Sequence, residues 1–186
     1  LGGEVFSELH AQKCRNLLGT SSHQLQGFLK FNILSDHISE FLTEQAPTHV
    51  INCTGLIPQK MSKIDPVDYA HKMLKINAKF PRELSFFAKR SNIQLIQIRT
   101  DCVYNGKSGK YTENSCKLPN SIYGASKLIG ETTGINQHHI RTSIVGYQPT
   151  ESVSLLGWFR NLPEWAIVNG YTNHHWNGVT TSIFAR

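Results

Sequence analysis

The sequence predicts a doubly wound α/β fold, a parallel sheet with helices on both faces, on three observations. Short apolar runs recur along the chain, helix-length amphipathic segments separate them, and several of the runs end in small or hydroxylated residues. Parallel neighbours cannot be joined by a tight turn, so strands spaced by helices imply crossover connections and a covered sheet.

Taken in order, Val5, Phe6 and Leu9 recur at helical spacing, which predicts an amphipathic helix over residues 2–14 entered from Gly2-Gly3. Leu17-Leu18-Gly19-Thr20 predicts a short strand, and residues 28–33 a second. Ser35, ahead of Asp36-His37-Ile38-Ser39-Glu40, is the predicted cap of a helix that carries Phe41 and Leu42 and that Pro47 ends. His49-Val50-Ile51-Asn52-Cys53-Thr54-Gly55 reads as a strand running into a small-residue turn. Asp65-Pro66 starts a long helix through Tyr69, Met73 and Leu74 towards Ala78, followed by a helical stretch over residues 81–88. Residues 93–98 form a strand apolar enough for burial on both faces. A polar loop over residues 105–120, a helix over 123–130 and a strand over 139–145 come next. Beyond Gly146 the alternation loosens into a helix at 155–159 and an extended segment at 165–172.

Composition narrows the function classes. With 186 residues, 39% hydrophobic and 17% charged, the chain can bury one substantial core. A formal charge of +6 favours anionic partners. The Lys and Arg residues are scattered and not interleaved with aromatics, which argues against nucleic acid and for a small phosphate-bearing ligand. Cys14, Cys53, Cys102 and Cys116 form no CxxC pair, which fits a reducing, cytoplasmic compartment. No apolar run approaches the roughly 18 residues that span a bilayer, so no membrane partner is expected. The pairs His138-His139 and His174-His175 lack accompanying carboxylates, and adjacent residues on a strand face opposite ways, so no metal is expected.

The candidate chemistry centres on Tyr123 and Lys127. Four residues apart on a helix, they share one face. A phenol with an ordinary pKa of about 10 is a poor proton donor at neutral pH, and a neighbouring ammonium is expected to lower that value. Thr100, at the end of the preceding strand, can hydrogen-bond a carbonyl oxygen as it gains negative charge. Together the three form a carbonyl-reduction site.

The spacing alone could be accidental, but its surroundings are specific. Arg99-Thr100-Asp101-Cys102-Val103-Tyr104-Asn105-Gly106, Tyr111-Thr112-Glu113, Tyr123-Gly124-Ala125-Ser126-Lys127 and Gly130-Glu131 together resemble the extended short-chain dehydrogenases, and within them the dTDP-4-dehydrorhamnose reductase family. The resemblance extends back through Asn52-Cys53-Thr54-Gly55 and Asn77, and forward through Arg141-Thr142-Ser143-Ile144-Val145-Gly146 and Ser154-Leu155-Leu156-Gly157-Trp158-Phe159. Gly170-Tyr171-Thr172-Asn173 and Trp176-Asn177-Gly178-Val179-Thr180 are similar to the family's substrate lobe.

The resemblance implies a Rossmann-like domain over residues 1–147 and part of a substrate lobe over 148–186. It makes Gly2 the last glycine of a GxxGxxG phosphate turn, so that the first strand lies upstream and the sequence is a fragment. By the same resemblance Cys53, Thr54, Gly55, Asn77, Tyr123 and Lys127 face the cofactor, while Asn32 and Ile33 lie beside the adenine. Ser21 and Ser22 stand at the end of the family's second strand with no carboxylate to repel a ribose 2′-phosphate, so NADP is expected, with NAD tolerated. Asp101, Cys102, Ile144, Trp176 and Asn177 join Thr100 around the sugar. Cys102 stands where rhamnose-pathway members usually carry Tyr, and Ile144 where they often carry Trp, which loosens the choice of hexose. The reading is an NAD(P)-dependent reductase of a nucleotide-linked 4-keto-6-deoxy sugar, compatible with a homodimer. A regulatory subunit resembling the beta subunit of methionine adenosyltransferase, or a nucleotide-sugar epimerase or dehydratase, are the alternatives.

Overall fold

A computed structural model describes residues 1–58, 65–146 and 154–186. Two compact units are present, residues 15–141 and residues 1–14 with 142–186.

The larger unit holds two parallel sheets. Strands β1 (Gly19–Ser21) and β2 (Phe28–Lys30) form one, and β3 (His49–Asn52), β4 (Gln94–Arg99) and β5 (Gln137–Arg141) form the other in the order β3-β4-β5. The α/β class and the parallel pairing follow the sequence reading. The ladders, however, are divided between separate sheets among the described residues.

Local chemistry explains the helices. In α2 (Ile38–Gln45) no side chain caps the start. Ser35, the expected cap, instead donates to Asp36 Oδ1 at 2.8 Å, while Asp36 Oδ2 accepts the Asn32 N–H at 2.7 Å, so these hydroxyl and carboxyl groups are used up in a turn before the helix. Ala46 then enters the left-handed region (φ 44°) ahead of Pro47 and ends the helix. In α3 (Pro66–Leu74) Asp65 caps, accepting from the N–H groups of Val67 and Asp68, with Pro66 preset at the first position.

A π turn (Lys75–Lys79) joins α3 to α4 (Phe80–Arg90) without a break. Pro81 has no N–H to return to the Asn77 carbonyl four residues earlier, so the regular ladder fails there and the wider turn takes its place. The two helical stretches expected from sequence are thus one continuous helical rod. Its inner side carries Tyr69, Met73, Asn77, Leu84 and Ala88.

The core gathers Phe31, Leu42, Phe80, Leu84, Ala88, Ile93 and Leu95, with Ile33, Ile38, Phe41, Val50 and Phe87 packed against it. The Phe31 ring lies 4.9 Å from that of Phe41 and 6.1 Å from that of Phe80. Strand β4 was expected to be buried on both faces. It alternates instead, with Leu95, Gln97 and Arg99 fully buried and Gln94, Ile96 and Ile98 only partly so. Register carries the polar character across the sheet, because Asn52 pairs with Gln97, Gln97 with His139 and Arg99 with Arg141.

In the smaller unit α1 (Gly2–Ala11) lies against α7 (Thr181–Ala185), and β6 (Ile144–Val145) pairs in parallel with β7 (Val179–Thr180). The strand expected over 139–145 is therefore two: pairing with β4 stops at Arg141, and after Thr142 the Ser143 carbonyl accepts from Val179. Helix α6 (Leu155–Arg160) starts on a Ser154 cap that accepts from the Gly157 N–H. Residues 165–172 form no strand, and Trp165 and Ile167 stand exposed. No helix among the described residues is long and apolar enough to cross a membrane.

Leu84, 1% exposed, and Phe86, 67% exposed, lie two positions apart on α4. Leu84→Ala is expected to cost about 2–5 kcal/mol in urea denaturation, and Phe86→Ala, which loses a stacked Arg90, less than about 1 kcal/mol. Equal losses would contradict this placement of the core.

Candidate active site

Thr100, Tyr123 and Lys127 meet where β3 and β4 end, the edge at which open α/β sheets usually build their sites. Thr100 follows β4 in extended conformation and caps the 3₁₀ turn Asp101–Val103, its Oγ1 accepting the Cys102 N–H at 3.1 Å and donating to Asp101 Oδ1 at 3.3 Å. Helix α5 (Ile122–Ile129) begins at Ser121, whose Oγ accepts the Gly124 N–H at 3.1 Å. One face of α5 thereby turns Tyr123 towards Thr100, whose hydroxyl acts on the phenol, and sends Lys127 towards the β3 turn.

That turn is built by Asn52. Its Oδ1 accepts from both the N–H and the hydroxyl of Thr54, at 3.0 and 2.6 Å, and its Nδ2 donates to Gln97 Oε1 at 3.1 Å. The Thr54 carbonyl, held in this way, accepts from Lys127 Nζ at 3.1 Å. Gly55 leaves the ledge bare: a Cβ there would lie 2.6 Å from Lys127 Nζ. Asn77, fully buried in the π turn, accepts the Leu56 N–H at 2.9 Å and donates to the Leu56 carbonyl and to Ser126 Oγ, which ties the ledge to α5.

Cys53, Thr54, Gly55, Asn77, Asp101 and Cys102 thus gather around Thr100, Tyr123 and Lys127. Ser21, Ser22, Asn32 and Ile33 belong to the β1–β2 region of the same unit, and no hydrogen bond among the described residues joins them to that group. Ser21 Oγ accepts the His23 N–H, Ser22 is exposed, Asn32 Oδ1 accepts the Leu34 N–H, and Ile33 packs on the core. Gly2, Ile144, Trp176 and Asn177 lie in the smaller unit. Gly2 opens α1, Ile144 pairs with Val179, Trp176 Nε1 donates to Ser143 Oγ at 2.8 Å, and Asn177 is exposed.

Electrostatics correct one expectation. Burial pushes the Tyr123 phenol above its ordinary value; the Thr100 hydrogen bond opposes this, while Cys102, Asp101 and Tyr69 add to it. The Lys127 ammonium is directed to the Thr54 carbonyl. Burial also lowers the Lys127 pKa to about 8, with Arg99 adding to the fall and Cys53 opposing it. Both Cys53 and Cys102 are pushed up, chiefly by burial, so neither is an activated thiolate.

The inward polar residues of β4 and β5 did not stand out as site candidates in the sequence. Arg99, 4% exposed, donates to Gln97 Oε1 at 2.9 Å and to the Gly130 carbonyl. Glu131 accepts a fork from Arg141, both bonds 2.7 Å, and an ion pair from Lys117 at 3.0 Å. The available signal was Leu95-Gln97-Arg99, polar residues at the inward period-two positions of an otherwise apolar strand. His138 and His139 fall on opposite faces of β5, and the described residues contain no group of three His, Cys, Asp or Glu able to hold a metal. A groove of about 990 Å³ runs between residues 33–39 and α4, and none of Thr100, Tyr123 and Lys127 lines it.

Residues 1–148 match the family model described as the RmlD substrate binding domain. A dTDP-4-dehydrorhamnose reductase of Streptomyces griseus is 28% identical over 91 residues, 48% of this chain and 29% of that protein. A hypothetical dTDP-4-dehydrorhamnose reductase from Sulfolobus tokodaii superposes with a TM-score of 0.66 at 27% identity, over 78% of this chain and 55% of that one. Two further solved structures share the fold. The Bacillus anthracis dTDP-4-dehydrorhamnose reductase, solved with NADP, has a TM-score of 0.51 at 24% identity over 66% and 48% of the two chains. The Bordetella bronchiseptica enzyme WbmG, solved with NAD and UDP, has a TM-score of 0.62 at 16% identity over 77% and 50%. The chain spans about half the length of the solved structures it matches.

Gly130 and Gly55 make contrasting tests. A Cβ at Gly130 would strike the Asn77 backbone carbonyl, so Gly130→Ala is expected to cost about 1–3 kcal/mol. At Gly55 the closest atom is the far end of the Lys127 side chain rather than backbone, so Gly55→Ala should lower the melting temperature less than Gly130→Ala; an equal or larger fall would contradict the open ledge. A pH dependence follows from Glu131, where burial raises the carboxyl pKa but the Arg141 and Lys117 contacts outweigh it and leave it below its ordinary 4.5. That contribution is complete above pH 4.5 and is lost as pH falls through the lowered value. Urea midpoints at neutral and acid pH should therefore diverge less in Glu131→Gln than in wild type.

Proposed function

Because the chain belongs to the RmlD substrate binding domain family, we propose that it carries the reaction centre of an NAD(P)-dependent reductase of nucleotide-linked 4-keto-6-deoxy sugars, most simply dTDP-4-dehydrorhamnose. In this reading residues 1–147 are the dinucleotide-binding part, a doubly wound Rossmann-like domain, and 148–186 are part of the substrate lobe. The observation that carries the reading is Tyr123 turned towards Thr100 while Lys127, one turn along α5, reaches the Thr54 carbonyl after β3.

The bare ledge at Gly55 and the nearly enclosed Lys127 head fit a dinucleotide approaching across Thr54 and Gly55, which a side chain at position 55 would obstruct. Bound there, a nicotinamide would supply the hydride. Tyr123, protonated at neutral pH, gives a proton to the carbonyl oxygen. Thr100 donates a hydrogen bond to the same oxygen as charge builds on it. Lys127 holds the nicotinamide ribose with an ammonium that persists below a pH of about 8. Ser21 and Ser22, with no carboxylate beside them, favour NADP over NAD. Asp101 and Cys102 stand next to Thr100 and face the sugar.

NADPH consumption by the full-length protein with a dTDP-4-keto-6-deoxyhexose tests the reading. Wild type should turn over, and Tyr123→Phe should lose about 10²–10⁴-fold in kcat while still binding NADPH. NADPH binding without turnover on any keto-sugar nucleotide would overturn the reductase in favour of a regulatory binding subunit.

A further inference from the structure

Arg99 ends β4 immediately before Thr100, and a guanidinium at 4% exposure must be satisfied from within the protein. Its Nη2 donates to the carbonyl of Gly130, the residue that ends α5 three positions after Lys127. The same nitrogen donates to Gln97 Oε1 at 2.9 Å, and Gln97 Oε1 also accepts Asn52 Nδ2 at 3.1 Å. Asn52 in turn fixes Thr54, whose carbonyl receives Lys127 Nζ. The contacts close a ring: Arg99 to the end of α5, back along the helix to Lys127, across to Thr54 and Asn52, and through Gln97 to Arg99.

Two details set this ring apart from ordinary core filling. The nearby carboxylate, Glu131, is taken by Arg141 and Lys117, so Arg99 is left with neutral oxygens and its charge is not cancelled by a direct partner. Its Nε has no hydrogen-bond partner among the described residues. At Gly130 a Cβ would come within 3.1 Å of Arg99 Nη1, so the helix end is bare where the guanidinium reaches it.

We propose that Arg99 is a positioning residue for Lys127, its guanidinium clamping the end of α5 to the β3–β4 ledge and so fixing where the ammonium sits. The charge of Arg99 acts on the same ammonium, adding to burial in lowering its pKa to about 8. Besides Arg99, the ionisable group that acts on Lys127 is Cys53 from the β3 turn, which opposes that fall, while Cys102 and Asp101 on the 3₁₀ turn and Tyr69 on α3 act on Tyr123. Lys75 and Lys79 belong to the π turn, while Glu131 beyond α5 is engaged by its own cations. The consequence for catalysis rests on Lys127 holding the nicotinamide ribose; the clamp does not.

The test is ¹³Cε lysine NMR on the chain, with the Lys127 signal identified by its absence in Lys127→Arg. Arg99→Met removes both fork and charge, and Arg99→Lys keeps the charge without the fork. Both should displace the Lys127 signal at a pH where it is fully charged. Arg99→Met should raise its titration midpoint by roughly one unit, about a tenfold change in ammonium fraction above the midpoint, while Arg99→Lys should hold it near wild type. An unmoved signal in Arg99→Lys, or an unchanged or lowered midpoint in folded Arg99→Met, overturns the proposal. If Arg99→Met does not fold, the signal in Arg99→Lys decides alone. Displacement as stated in a protein that reduces no keto-sugar nucleotide would sink the reductase reading and leave the clamp standing.

Discussion

Lys127 is 5% exposed with the Thr54 carbonyl as the hydrogen-bond acceptor of its ammonium, and the β3 turn, the π turn and α5 are tied together around it. A buried charge is costly unless polar groups meet it, and a single carbonyl meets only part of that need. The rest comes from shape. Gly55 removes the side chain that would crowd the ammonium, Asn52 freezes the turn that presents the carbonyl, and Asn77 fastens that turn to α5 through Leu56 and Ser126.

Two further features bear on the same site. The π turn at Lys75–Lys79 follows from Pro81, and it leaves the Asn77 carbonyl so close to α5 that only glycine fits at position 130. The covered face of the β3-β4-β5 sheet changes character along its length. Near the start of the strands Val50 and Leu95 are apolar, whereas towards the ends Asn52, Gln97, Arg99 and Arg141 are polar. The apolar portion joins the core with Leu84 and Ala88, and the polar portion forms the floor beneath Lys127. Stability and chemistry occupy successive rows of one sheet.

Most of this was legible from the sequence where local rules decide the outcome. Helix α5 and its Tyr123–Lys127 face follow from spacing, the start of α3 from Asp65-Pro66, and the parallel class from alternation of strand and helix. What escaped depends on long-range pairing. Ser35 had the right chemistry for a cap, but Asp36 and Asn32 claimed that segment for a turn. The strand through residue 145 was split because Ser143 found Val179, 36 positions later, a partner no local pattern announces. The Tyr123 pKa moved the other way because burial, which helical spacing does not announce, outweighs the hydrogen-bonding influence of Thr100 on the phenol. Arg99 was visible only as a charge in an apolar run, and its role emerges once Gly130 and Gln97 are seen on either side of it.

The central claim is that the enclosed Lys127 ammonium is held ready for a dinucleotide. Calorimetric titration of NADPH into the full-length protein and its Lys127→Met variant tests it most directly. Loss of one charge-assisted hydrogen bond should weaken binding by about 10–100-fold while the melting temperature stays at or above wild type, since the variant no longer buries a charge. Equal affinity in the two proteins would contradict the account.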